Sequence, residues 1–151
     1  MKRGRNKVLI GLLVVVVGIQ FIPASVNKQP EVLETDIRNV YKVPTEVLSI
    51  LQTSCFDCHS NNTNYPWYSK IQPIRLIMDN HVENGKNELN FSQFGSYFDR
   101  RMKNKLKSIA NQIKDDAMPL GSYTLIHRKA VLQKEQKKTL IDWINKNLNN
   151  E

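Results

Sequence analysis

More than any other stretch, Cys55-Phe56-Asp57-Cys58-His59 restricts the folds open to this chain. The pattern Cys-x-x-Cys-His is the attachment signature of a c-type haem. Each thiol can add across one haem vinyl group, and the adjacent imidazole can reach the iron from the proximal side. Two intervening residues on a turn of helix separate the sulphurs by about the vinyl spacing. The chain holds two cysteines and three histidines, and the motif takes both cysteines and one histidine. Other chemistries use the same residue types. An oxidising compartment allows a disulfide between Cys55 and Cys58, and a thioredoxin-like redox pair needs a βαβ setting that is not visible here. Zinc would require Cys55, Cys58, His59 and a further histidine, whereas zinc ligands usually come as two well-separated pairs.

At 151 residues the chain is expected to form one domain. Lys2, Arg3, Arg5 and Lys7 open it, and Val8 to Ile22 is apolar except for Gln20. Those fifteen residues span about 22 Å as helix, against ~30 Å of hydrocarbon. Residues 1–26 are therefore read as a signal segment or a short transmembrane anchor, with the uncleaved anchor preferred. The basic start places the body on the periplasmic, non-cytoplasmic side of the cell membrane as a single-pass protein. That is the side on which covalent haem attachment is completed.

Net charge is +8, and Arg100 to Lys138 carries eleven Lys or Arg against three acids. Such a surface can be a solvated helix face, steer an acidic redox partner or sit against anionic lipid. Nucleic acid is not expected as a partner of an exported chain.

Residues 27–42 read as a polar connector with one edge on the domain, and residues 43–151 as the haem-binding domain. A helix is expected over Pro44 to Thr53, with Val47, Ile50 and Leu51 on one side. A turn-rich loop follows His59, and its Tyr65, Trp67 and Tyr68 suit either a haem wall or ordinary core. Asn61-Asn62-Thr63 matches a glycosylation sequon. Pro73 opens a helix to about Asn84, with Gly85 as its stop; Ile74, Ile77, Met78 and His81 share a face. A third helix should begin at Ser96, with Asp99 in capping-box register and a stripe of Phe98, Met102, Leu106, Ile109 and Ile113. The last runs from about Gln133 to Leu148 and should pack on the first. No strand pattern stands out, so the fold class is mainly α with long loops.

The second axial ligand is expected from Met118-Pro119-Leu120. A methionine in a Pro and Gly loop can turn its thioether inward, and the chain from His59 is long enough to cross to the other face. His81 and His127 are the alternatives, and core filling is the other role open to Met118.

These segments carry a resemblance. Cys55 to Thr63, Tyr65-Pro66-Trp67-Tyr68, His81 to Gly85, Asn90-Phe91-Ser92, Met118-Pro119-Leu120, Tyr123 with His127, and Trp143 resemble the bacterial haem-binding domain family of membrane-anchored, cytochrome c-like proteins. The resemblance implies a small cytochrome c-like helical domain with one covalent haem c on Cys55 and Cys58, and iron ligation by His59. It is similar in outline to small class I cytochromes, whose later Met-Pro loop supplies the second ligand. Three functions follow as expectations: a membrane-tethered electron carrier with a redox partner protein, a haem enzyme or sensor with an open distal site, and an accessory haem subunit of a respiratory assembly.

Overall fold

The computed structural model describes residues 2–29 and 31–149. Met1, Pro30, Asn150 and Glu151, which fall in the expected anchor, connector and domain, lie outside them. The described residues form helices and loops without a named strand; one isolated antiparallel bridge joins Lys28 and Asn62.

Helix α1 (Lys2–Gly18) and the 3-10 turn Ile19–Phe21 take up the apolar N-terminus. The window Gly4–Phe21 is long and apolar enough to cross a membrane by length and composition, and none of it is buried. It fits either a transmembrane or a signal helix.

The short helix α2 (Ile37–Val40) lies in the stretch expected as connector. Asp36 caps it, accepting from the Arg38 amide at 3.0 Å and pairing with the Arg38 guanidinium at 2.7 and 2.8 Å. That ion pair raises the Arg38 pKa, through the hydrogen bond to Asp36 above all. Ile37 enters the core beside Val47, Leu51 and Phe94. Val40 and Thr35 lie so close to Gly95 that a Cβ there would sit 2.8 Å from the Val40 side chain.

Helix α3 (Thr45–Ser54) matches its expectation and buries Val47, Ile50 and Leu51. Helix α4 (Phe56–His59) follows after Cys55, so the motif itself is one helical turn. Helix α5 (Ile74–Glu88) does not stop at Gly85; it runs one turn further. The glycine serves a close approach instead of a C-cap. Helix α6 (Asp99–Lys114) starts at Asp99, not Ser96, which belongs to a preceding 3-10 turn, Phe91–Ser96. Phe98 is its N-cap, without a side-chain cap, and is exposed. The rest of the stripe faces inward: Leu106 and Ile113 are buried, with Met102 and Ile109 packed against the core.

Helix α7 (Gly121–Ile126) ends at His127. Helix α8 (Lys134–Asn149) buries Leu140, Trp143 and Ile144 against α6 and α3, and the Trp143 indole donates to Lys42 O at 3.4 Å. The domain is a shell of helices around this core, with the motif turn at one edge and α5 laid across it.

The sequon is not open to a sugar. Asn61 is buried, its side chain donating to Gln29 Oε1 at 3.1 Å and accepting from Asn90 at 2.8 Å.

Because Ile37 has no exposed surface, Ile37→Ala is expected to cost about 2–5 kcal/mol of stability. Urea denaturation of the full chain checks it; a free connector would register no change.

Candidate functional site

The site is built where α5 crosses α4. A Cβ on Gly85 would lie 2.6 Å from the Cys58 carbonyl oxygen and 3.3 Å from the Cys58 Cβ. Only glycine lets the two backbones approach this closely. The contact brings the end of α5 behind His59, whose Nδ1 lies 2.8 Å from Gly85 O and 3.1 Å from Leu89 O. Carbonyl oxygens only accept, so Nδ1 carries the proton and Nε2 of the neutral ring keeps its lone pair. Backbone carbonyls that fix the tautomer in this way leave the other nitrogen ready for a metal. Phe91 holds the ring edge-on, centroids 6.3 Å apart.

A cleft runs along the motif. Its central part is lined by Cys55, Cys58, His59, His81, Gly85, Met118, Pro119 and Tyr123. On one side it continues into space bounded by Phe91, Ile109, Ile113 and Leu132, again with Cys55, His59 and Met118. On the other it opens between Ile74, Ile77, Met78, Val82 and Ile126, with Cys58, Tyr68, Tyr123 and His127. These parts hold between about 630 and 840 Å³ each, counting the space open to solvent. That scale, with apolar walls and few polar groups, suits a large planar cofactor.

Met118 reaches the cleft through the end of α6. Asp116 takes a left-handed conformation at φ 55°, and the Asp116 and Ala117 amides bond back to Ile113 O at 3.4 Å and Gln112 O at 3.0 Å. This Schellman-type stop also places the Met118 amide 3.2 Å from Gln112 O. The structure thus brings Cys55, Cys58, His59 and Met118 to one cleft, with His81 at its centre and His127 at its outer end. Of the aromatic loop only Tyr68 lines it. Trp67 is 76% exposed, and the Tyr65 hydroxyl accepts from the Asn27 amide at 3.0 Å.

Sequence reasoning missed a polar group at the outer end. The Tyr123 hydroxyl donates to Asp57 Oδ2 at 2.7 Å, its ring stacks on His127 at 4.2 Å, and His127 Nε2 meets the Tyr68 hydroxyl. Burial, with the bond to Asp57, raises the Tyr123 pKa; burial, with the charge of Asp57, raises that of Tyr68. Tyr123 and His127 are four residues apart, but their partners Asp57 and Tyr68 lie far off in the chain, and no spacing rule links those pairs. The Gly85 and Leu89 carbonyls carry no side-chain signal either.

No disulfide joins Cys55 and Cys58. Burial, and then the neighbouring Cys58, push Cys55 up to about 12; burial, and then Asp57, push Cys58 up to about 11. Redox-active Cys-x-x-Cys pairs have a depressed pKa, so the environment disfavours that alternative. Among the described residues no cluster of three or more His, Cys, Asp and Glu side chains is arranged to hold a metal ion, so the zinc alternative gains no support.

The family model for the haem-binding domain matches residues 14–146. This chain belongs to that haem-binding domain family. No curated protein and no solved structure matches it. Haem is accordingly the cofactor, and the donor set fits it: a histidine with a free Nε2, a thioether and two protonated thiols beside an apolar cleft.

Two expectations follow. Gly85→Ala is expected to cost about 1–3 kcal/mol by overpacking and to lower haem content, read as the ratio of haem to protein absorbance. The raised thiol pKa values mean the fold favours neutral cysteines. In haem-free protein that contribution is whole below the ordinary value of 9.0 and is lost as pH rises through about 11 and 12. Thermal stability should therefore fall more steeply above pH 9 in this protein than in a Cys55→Ala/Cys58→Ala variant.

Proposed function

We propose that this chain is a membrane-tethered electron carrier of the c type, holding one covalent haem through Cys55 and Cys58, with His59 and Met118 as axial ligands. The observation that carries the reading is the His59 imidazole, fixed through Nδ1 by two backbone carbonyls within a cleft it shares with both cysteines and Met118. Haem iron with histidine and methionine ligands supplies a one-electron couple of raised potential relative to a bis-histidine site. The chain's own residues do the rest. Cys55 and Cys58 would hold the haem through thioethers, each S–H adding across a vinyl double bond so that the sulphur bonds one carbon and the hydrogen goes to the other. Gly85 and Leu89 orient the proximal ring. Phe91, Ile109, Ile113 and Leu132 exclude water, which stabilises the less charged reduced state.

The apolar N-terminal helix supports a membrane tether, and Arg5 and Lys7 at its start support a body on the non-cytoplasmic side. The exposed bases of α6 and α8, among them Arg100, Arg101, Lys107, Lys134 and Lys138, suit an acidic redox partner.

A second reading, an open-site haem enzyme or sensor, draws on the Tyr68–His127 and Tyr123–Asp57 contacts, which put acid–base groups beside the cleft. Spectra separate the two. The haem is expected to stay with the protein through acidic acetone extraction. Met118→Ala should abolish the sulphur-to-iron charge-transfer band of the oxidised form and lower the potential, while His81→Ala and His127→Ala keep the band. Retention of the band in Met118→Ala removes Met118 as ligand; rapid reaction of the wild type with cyanide or peroxide favours the open site.

A further inference from the structure

The end of α1 is stapled to the body. The Gln20 side chain donates to Gln72 O at 3.3 Å and accepts from the Gln72 amide at 3.1 Å. Further along, the Arg75 guanidinium donates to Ser25 O while pairing with Asp79 at 2.8 Å and covering the Tyr65 ring at 4.2 Å. Asn27 then bonds to Ser60 O at 2.8 Å and to Thr63 Oγ1 at 2.9 Å. The haem domain is thus fastened to the helix end at Gln20, Ser25 and Asn27. Val8 to Val17, by contrast, stand clear of the body, exposed along their length.

Around this junction the surface is apolar where a solvated domain would be polar. Phe21 is 83% exposed and Trp67 76%, with Ile22, Ile71 and Leu76 also open. Trp67, Ile71 and Leu76 all lie within five residues of Gln72, the residue that holds the helix end. None of the five lines the cleft along the motif. Lys70 is exposed among them. An indole and aliphatic side chains beside a lysine, at the mouth of an apolar helix, have the composition of a membrane–water interface.

We propose that this patch is a docking surface for the lipid bilayer, so that the haem domain lies against the membrane instead of hanging from it. The inference rests on the tether reading: the occupant is lipid because the patch is continuous with the segment apolar enough to cross it. Phe21, Trp67, Ile71 and Leu76 enter the headgroup boundary, and Lys70 meets lipid phosphate. The Gln20–Gln72 pair fixes the domain's tilt. Ile74 and Ile77, on the same helix, then hold the outer end of the haem cleft close to the lipid surface.

The haem-loaded full chain in nanodiscs of phosphatidylcholine and phosphatidylglycerol, doped with a diazirine-bearing phospholipid, tests this. Photolysis and peptide mass spectrometry are expected to find lipid adducts on α1 and on the peptide spanning residues 67–76. Trp67→Ser/Leu76→Ser should lose the second set and keep the first; both side chains are exposed, so the fold tolerates the change. Adducts on α1 alone, in the wild type, overturn the docking surface and leave the tether standing. Absence of adducts from both segments overturns both.

Discussion

The passage of α5 over the motif turn at Gly85 is the contact on which the rest of the site depends. With no Cβ in the way, the helix lies close enough for two of its last carbonyls to face His59 Nδ1. Those bonds choose the tautomer and hold the ring plane. A side chain at position 85 would separate the helices, and the imidazole would lose both partners. The same helix carries Ile74, Ile77, Met78 and His81 along the cleft, so one contact sets both the His59 ring and one wall.

The motif is also held from its other side. Arg38 lies over the Phe56 ring at 5.9 Å, Thr63 Oγ1 donates to Asp57 O at 2.7 Å, and Asn64 N donates to Asp57 Oδ1 at 3.0 Å. Ser60 Oγ donates to Phe56 O at 2.8 Å. Both residues between the cysteines are therefore engaged, Phe56 by packing and Asp57 by hydrogen bonds. The stretch 20–42 takes part in this through Asn27, Gln29 and Arg38. The end of the apolar N-terminal helix and the motif turn are thereby joined through hydrogen bonds and packing.

Two kinds of polar chemistry flank the cleft. Cys55 and Cys58 are half-buried, and their surroundings raise both pKa values, which disfavours thiol–disulfide exchange. The Tyr68, His127, Tyr123 and Asp57 group lines the part of the cleft that it shares with Cys58.

Sequence alone determined the Cys-x-x-Cys-His pattern, the apolar N-terminal helix, the mainly helical character and the stripes of α3, α6 and α8, because these are local patterns set by residue spacing. It also singled out Met118, since a methionine between a helix end and a proline is visible in one dimension. It misread Gly85 as a stop and Ser96 as a start, because caps and close approaches look alike until the neighbouring backbone is known. It took Trp67 for a possible wall of the site, although that side chain is exposed. Only the tertiary structure decided which nitrogen of His59 stays free, that Ile37 belongs to the core, and that Tyr123 bonds to Asp57. Each of those depends on groups brought together from distant parts of the chain, often through backbone carbonyls that every residue shares and no sequence can distinguish.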